Sequence, residues 1–444
     1  MQKATRRGAE RHARPRRAVG WFADKTSRPQ AVRRCGVGVL QEPLQFWPFI
    51  FGGNLISCLS MRVLWVDLVS ELGGAQYSLL EVCARLPSHG VEVVAAVPQG
   101  PLFDRLSASG VTVFPVSPLR ASKRGWGLFS TAAKLMRAPS TIYRIVHAVK
   151  PDIVHANSLS AFLASRKVPS SVPLVWHVRD MRLPVLVARD AAKKASRIIA
   201  ASGAVDEYLV EILSPRILGR IRVVRNGIDP ERFTAVSRAA ARQRFGLPAE
   251  GPVVGMVAHL IPWKRHDAFI TAAAEIHRQR PDVHFVVVGR DLFNEHARWT
   301  SQLEAMVTAA GIGEQFHWVR DCDDAAQIVS AFDLLLHPAK DEPFGRAVCE
   351  AMAASVPVVA AESAGPASII KSGASGVLVR DGDPVGMAAE ALVLLDDPVR
   401  AATLAAAGRV RVLSRYTVDH VCEQLAKEYH ALIAATTTAG YDDD

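Results

Sequence analysis

The 444-residue chain has only six cysteines, at positions 35, 58, 83, 322, 349 and 422, and no C-x-x-C or close Cys/His cluster. Structural zinc is therefore not expected, and a reduced, cytosolic setting is. Cys83 and Cys349 fall in apolar helix patterns and read as small core residues. Downstream of the first 60 residues no apolar run approaches the ~20 residues that a bilayer span needs. No solenoid-type repeat is present. Acidic residues are missing altogether between Asp104 and Asp152, where Arg105, Arg120, Lys123, Arg124, Lys134, Arg137, Arg144 and Lys150 surround Trp126, Leu128 and Phe129. A basic helix carrying aromatics suits an anionic membrane surface, and the alternative is a solvated basic face.

What is present is the balance of a soluble globular protein, 49% hydrophobic and 22% charged. The length is too great for one ordinary core and implies two domains. The net charge of +10 sits mostly in residues 1–60, where 11 Lys or Arg face Glu10, Asp24 and Glu42. The remainder is close to neutral, so nucleic-acid binding is not implied. Arg6 to Arg34 is basic and broken by Pro and Gly. Leu44 to Leu59 is apolar but interrupted by Gln45, Pro48, Gly52, Gly53 and Asn54. The folded part is expected to start at Met61, with residues 1–60 a disordered leader or a mis-assigned start. An interfacial membrane anchor is the other reading of that segment.

From Arg62 the pattern alternates apolar strands with amphipathic helices, which predicts α/β architecture with parallel sheets covered on both faces. Strands are expected at 63–69, 91–97, 111–116, 152–155, 174–178, 197–201 and 222–224. A polar break at 229–250 is read as the interdomain linker. Alternation then resumes, with strands at 253–257, 284–288, 316–319, 334–337 and 356–360. Helices are expected at 126–149, 265–279, 295–310, 323–330, 345–354, 384–396 and 400–413. The domain expectation is 61–228, 251–414, a last helix at 415–434 and a polar tail at 435–444.

The most telling stretch runs from His337 to Ala353, HPAKDEPFGRAVCEAMA. An apolar strand leads into a loop with Pro343 and Gly345, then into a helix-forming run. The start of that helix presents unpaired N–H groups and a positive dipole end, an arrangement suited to phosphate. Glu342 stands in the loop just before it, and Glu350 lies about two turns into the helix. Carboxylates repel phosphate but accept hydrogen bonds from hydroxyls. A phosphate flanked by hydroxyl-rich groups describes a nucleotide-sugar.

Glu342-Pro343-Phe344-Gly345 and Glu350-Ala351-Met352-Ala353 resemble the Glu-x7-Glu signature of retaining glycosyltransferases of family 4 (glycosyltransferase group 1). The resemblance covers about residues 62–434 and is more specific in the second half. It implies the GT-B fold, two doubly wound Rossmann-like domains facing each other across a cleft. The first domain would take the acceptor, the second a nucleoside-diphosphate sugar, and the last helix would cross back to the first domain. It assigns Glu342 to the sugar hydroxyls, Glu350 to the ribose, and the Phe344 and Gly345 amides with Lys264 to the diphosphate. No catalytic metal or other cofactor is implied.

Further residues match this pattern less closely. Gly73-Gly74, between the first strand and a helix, resembles the family's glycine-rich loop in the donor cleft, or is a plain tight turn. Lys264 in HLIPWKRHD matches the family's lysine, but the family's Gly-Arg is Ala258-His259 here, and Arg265 is a candidate substitute. Histidine carries less reliable charge than arginine. Either the bound diphosphate protonates His259, or Lys264 and the helix N–H groups do most of the work. In WHVRD, Arg179-Asp180 stands where the family has His-Asp. His177, on the same strand face as Arg179 by period-two alternation, reads as the displaced catalytic histidine or as a core residue. Ser368 replaces the Glu of the family's Gly-Gly-x-x-Glu loop. Asn226-Gly227 reads as a hinge turn. Asp321-Cys322-Asp323 reads as a helix cap rather than a metal site.

The resemblance implies a retaining hexosyltransferase using a nucleoside-diphosphate sugar and a hydroxyl acceptor, in glycolipid, cell-envelope or exopolysaccharide synthesis. The expected location is cytoplasmic, peripheral on the inner membrane face if the acceptor is membrane-linked. The departures at His259, Arg179 and Ser368 motivate two alternatives, a catalytically lapsed nucleotide-sugar-binding protein and a GT-B sugar-nucleotide epimerase.

Overall fold

The computed structural model describes residues 61–118, 126–233, 236–322 and 324–439. The leader, Arg120, Lys123, Arg124 and Asp323 lie outside the described residues, as do the side chains of Trp126, Leu128, Phe129 and Lys134.

Met61–Val66 forms β1, and its alternation explains how the first sheet is covered. Leu64 and Val66 face a core shared with Val154, Trp176 and Ile198, while Val63 and Trp65 face one shared with Leu79, Val82 and Tyr429. All four strand residues from Val63 to Val66 are fully buried. Each such side chain contributes roughly 1.5–3 kcal/mol relative to exposure. The sheet continues through β2 (Val91–Val97), β3 (Thr112–Pro115), β4 (Ile153–Ala156), β5 (Leu174–Val178), β6 (Arg197–Ala200) and β7 (Ile221–Val223), in the order β3-β2-β1-β4-β5-β6-β7. The second sheet contains β8 (Val253–Val257), β9 (His284–Val288), β10 (Phe316–Val319), β11 (Leu334–His337), β12 (Val358–Ala361) and β13 (Val377–Val379), in the order β10-β9-β8-β11-β12-β13. Every strand pair is parallel. Both sheets are doubly wound, and the strand order reverses beside β1 and beside β8. Ligands of such sheets sit outside the carboxyl ends of the strands at these reversals.

The closing helix, Val418–Ala439, lies against the first sheet although it follows the second. Val418, Val421, Cys422, Leu425, Tyr429 and Leu432 recur at helical spacing and are buried there. Arg197 Nε lies 3.1 Å from Glu428 Oε2, adding an ion pair to that contact. The chain thus passes between the sheets twice, and the two passages are bonded to each other. The Ile228 N–H donates to the Tyr416 carbonyl, and the Val418 N–H donates to the Ile228 carbonyl, both at 2.9 Å.

Several elements differ from the sequence-based expectation. β13 is three residues long and follows Gly376, so it carries too little period to be read. The helix expected at 323–330 is two 3-10 turns, Ala325–Gln327 and Val329–Ala331. β12 starts after Pro357, which has no N–H to give to a ladder. Gly227, expected at a hinge turn, has no left-handed φ. It is needed because backbone meets backbone: a Cβ there would lie 2.4 Å from the Thr417 carbonyl oxygen and 2.9 Å from Val421 Cγ2.

Gly227→Ala is therefore expected to destabilise the protein by about 1–3 kcal/mol, the range for overpacking a closed site. Gly219→Ala, where a Cβ meets nothing within 4 Å, is expected to change stability by less than about 0.5 kcal/mol. Urea unfolding midpoints of the two variants check both values.

Candidate active site

The segments that follow the central strands converge. Gly73-Gly74 follows β1, Asn157 and Ser158 follow β4, His259 and Lys264 follow β8, and the loop to Glu342 follows β11. They line two adjoining cavities of about 540 and 830 Å³. The smaller opens among second-domain residues such as Val257, Val288, Arg320, Asp324 and Glu350. The larger is lined mainly by first-domain residues, among them Asn157, Ser158, Arg179, Asp180 and Leu183. Gly74, His259, Lys264, Glu342 and Arg346 line both. This junction is where a group passed from one cavity to the other has to reside.

Glu342 and Lys264 form an ion pair at the junction, through Glu342 Oε2 and Lys264 Nζ. His337 Nε2 lies 3.7 Å from the same oxygen. Burial pushes the Glu342 pKa up, but Lys264 and His337 outweigh it and hold the carboxyl well below the usual range. Lys264 Nζ also lies 4.2 Å from the centre of the Trp263 ring, whose other neighbour is the first-domain Arg182 guanidinium at 4.8 Å. His259 is held down to about 4 by burial, then by Lys264 and Arg290, so its imidazole is neutral near neutral pH.

Helix Arg346–Ala353 begins after Gly345, which takes φ 98° as its N-cap. Phe344 is buried and packs on Tyr416, and it lines the larger cavity. Glu350 is buried with an upward-shifted pKa, because desolvation exceeds the pull of Arg346. Arg346 Nε donates to Glu350 Oε1 at 2.6 Å, while its Nη1 and Nη2 donate to the two oxygens of Glu81 at 2.9 and 2.6 Å. Glu81 belongs to the first-domain helix Gly74–Arg85. It also accepts from Arg232, which donates to Asp324 Oδ2 at 2.6 Å. Sequence reading missed Glu81, Arg232 and Arg346. Arg346 stands four residues before Glu350, the spacing of a helical ion pair, and this was the one available signal.

The first-domain floor is a polar network. Asp67 is fully buried, and its Oδ2 accepts from Asn157 at 2.7 Å and Gln76 at 3.1 Å. The Gly73 N–H donates to Gln76 Oε1 at 3.2 Å. Arg179 donates to Asn157 Oδ1 at 2.7 Å, to Asn226 Oδ1 at 2.6 Å and to Ser78 Oγ at 3.1 Å. His177 is fully buried and lines neither cavity. Its Nδ1 is 3.0 Å from His155 Nε2, and His155 Nδ1 is 2.8 Å from Tyr429 Oη. Burial first, then the Arg179 charge, keeps both imidazoles well below the usual histidine range. In this arrangement His177 backs the floor, and Arg179, two residues on, faces the cavity.

Of the other expected residues, Gly73 caps its helix and Gly74 faces Arg346, whose Cδ would be 3.9 Å from a Cβ there. Arg265 lines neither cavity; it takes φ 58° and pairs with Asp267 at 3.1 Å. Ser368 donates to the Gly365 carbonyl beside it. The cap after β10 is Asp324, which accepts from the Ala326 N–H at 3.0 Å. Among the described residues no group of three or more His, Cys, Asp or Glu side chains could hold a metal ion. Among the same residues no helix is long and apolar enough to cross a membrane.

The downward shift of Glu342 has a consequence for stability. The carboxylate is ionised in the folded protein at pH values where the unfolded chain has already taken up a proton. Its stabilisation is complete above the ordinary carboxylate range, begins to be lost as pH falls through that range, and continues to be lost down through the lower folded-state value. Between about pH 6 and pH 3, stability is expected to fall more steeply for the wild type than for Glu342→Gln. Denaturant unfolding across this interval gives both slopes.

Known proteins share both halves of this architecture. A family model described as "Glycosyltransferase Family 4" matches residues 72–232, and one described as "Glycosyl transferases group 1" matches residues 237–411. The D-inositol 3-phosphate glycosyltransferase of Thermobispora bispora is 28% identical over 414 residues, which is 85% of this chain and 94% of the relative. That of Stackebrandtia nassauensis is 27% identical over 396 residues, 81% and 87% of the two chains. Among solved structures, Anabaena HepE in complex with UDP-glucose superposes with a TM-score of 0.71 at 24% identity, covering 84% of this chain and 100% of HepE. Sucrose-phosphate synthase from Thermosynechococcus elongatus gives 0.71 at 19% identity, covering 84% and 100%. With the two doubly wound sheets and the cleft between their strand ends, these matches identify the chain as a member of the group 1 (family 4) glycosyltransferases with the GT-B fold.

Proposed function

We propose that the protein is a retaining hexosyltransferase that moves a sugar from a nucleoside diphosphate to a hydroxyl acceptor. The observation that carries this reading is the buried Glu342–Lys264 pair at the junction of the two cavities. The nucleotide occupies the smaller cavity, with Glu350 toward the ribose. Glu342, kept ionised, accepts hydrogen bonds from the sugar hydroxyls at the junction. Lys264 and the amides at the start of the helix after Gly345 meet charge as it develops on the leaving diphosphate. The acceptor enters the larger cavity, where Asn157, Ser158, Arg179 and Asp180 supply polar contacts.

Breaking the anomeric C–O bond leaves the electron pair on the diphosphate. The acceptor hydroxyl attacks from the same face and passes its proton to the departing phosphate oxygen, so configuration is kept. His177, sealed beneath the floor, takes no part in that transfer. The step calls on no metal ion. HepE was solved with UDP-glucose, which supports a nucleotide-sugar donor here. Relatives named for inositol phosphate glycosylation, and one from Corynebacterium glutamicum (30% identical over 211 residues, 45% of this chain and 53% of the relative) named for a GDP-mannose-dependent phosphatidylinositol monomannoside mannosyltransferase, support an acceptor in glycolipid or cell-envelope synthesis, worked on at the cytoplasmic membrane face.

Glu342→Ala and Lys264→Ala are each expected to lower transfer by about 10²-fold or more with the circular dichroism spectrum unchanged. Full activity in both variants would remove these residues from the mechanism. Nuclear magnetic resonance of the product from an α-linked donor is expected to show an α-glycoside, and a β-glycoside would refute retention.

A further inference from the structure

The junction has a charge problem. A nucleoside diphosphate brings at least two negative charges, and the reacting carbon has to lie between the two cavities. Among the described residues that line both, only Lys264 and Arg346 are cationic, since His259 is neutral. Lys264 is paired with Glu342, and Arg346 with Glu81 and Glu350, so each of the two cations shares its charge with carboxylates. Arg290 and Arg320 line the smaller cavity alone, and Arg265 lines neither.

We propose, resting on the nucleotide-sugar reading above, that Arg346 is a donor-binding residue whose guanidinium contacts the diphosphate from the first turn of its helix. Three features fit. Arg346 lines both cavities beside Gly74, where a Cβ would lie 3.9 Å from its Cδ. The side chain uses Nε for Glu350 and one contact from each terminal nitrogen for Glu81, and five N–H donors leave two more. Glu81 is shared: the oxygen that accepts from Arg346 Nη2 also accepts from Arg232. The two terminal nitrogens can therefore turn toward an incoming anion while Glu81 stays paired with Arg232 and Nε keeps its bond to Glu350. Phosphate oxygens match the planar fork of arginine better than a point charge does.

A purely structural Arg346, one that only fixes Glu350 for the ribose, would affect nucleosides and nucleoside diphosphates alike. Diphosphate contact predicts a split. In isothermal titration with UDP, GDP and ADP, Arg346→Met is expected to weaken the diphosphate that the wild type binds by about 10-fold or more. The matching nucleoside, uridine, guanosine or adenosine, which meets Arg346 only through Glu350, is expected to lose severalfold less. Adding His259→Arg, which returns a cation to the junction, is expected to restore most of the diphosphate affinity. If Arg346→Met leaves Glu81 and Glu350 too exposed to each other to fold, Glu81→Gln/Arg346→Met removes that repulsion and is titrated in its place. Equal losses for nucleoside and diphosphate, or no loss at all, would overturn the proposal. Absence of binding by the wild type to all three diphosphates would instead refute the nucleotide-sugar reading on which it rests.

Discussion

A carboxylate can stay ionised inside a protein only if something nearby repays the water it has lost. At Glu342 that role falls to Lys264, with His337 behind it. The two partners come from loops after β8 and β11, neighbouring strands at the point where the order of the second sheet reverses. The pair therefore depends on the sheet topology. It fixes a hydrogen-bond acceptor and a cation side by side at the mouth of the cleft, each restrained by the other. The same logic governs Arg346 between Glu81 and Glu350, whereas at Asp67 the neutral Gln76 and Asn157 amides do not offset burial, which pushes its pKa up. Lys264 and Arg346 each have a carboxylate partner on another segment, and through Glu81 one of these partners lies in the other domain.

This arrangement joins stability to the proposed chemistry. The polar floor reaches from the Gly73 amide through Gln76, Asp67, Asn157 and Arg179 to Asn226, the residue before the first passage between the sheets. From Arg179 it reaches the closing helix through His177, His155 and Tyr429. The network gives a role to two of the buried histidines, His155 and His177: they bridge cleft and closing helix as neutral donors and acceptors.

The fold was largely legible in the sequence because parallel strands buried on both faces read as continuous apolar runs, and runs such as Val253–Val257 and His284–Val288 have the same limits in the structure. Short elements between glycines or prolines, such as β13, carry too few residues for a period to show. The Glu342–Glu350 segment was legible because strand, loop, glycine and helix follow one another within the twenty residues from Leu334 to Ala353. Glu81 was not, since its partners Arg346 and Arg232 lie 265 and 151 positions away. Nor was the burial of His177. Alternation placed it on one strand face with Arg179, and only the closing helix, arriving from the far end of the chain, decided that this face is covered at 177 and that the Arg179 side chain reaches the cavity at the strand end.

The central claim is that the junction held by Glu342 and Lys264 takes an activated sugar through its diphosphate and hydroxyls. The most direct measurement is a thermal-shift panel of UDP-, GDP- and ADP-hexoses against the purified protein, because a ligand bound only by the native state raises the melting temperature. The account predicts a concentration-dependent rise with at least one of them, larger than with the free hexose. A melting temperature unmoved by every nucleotide-sugar at millimolar concentration would contradict it.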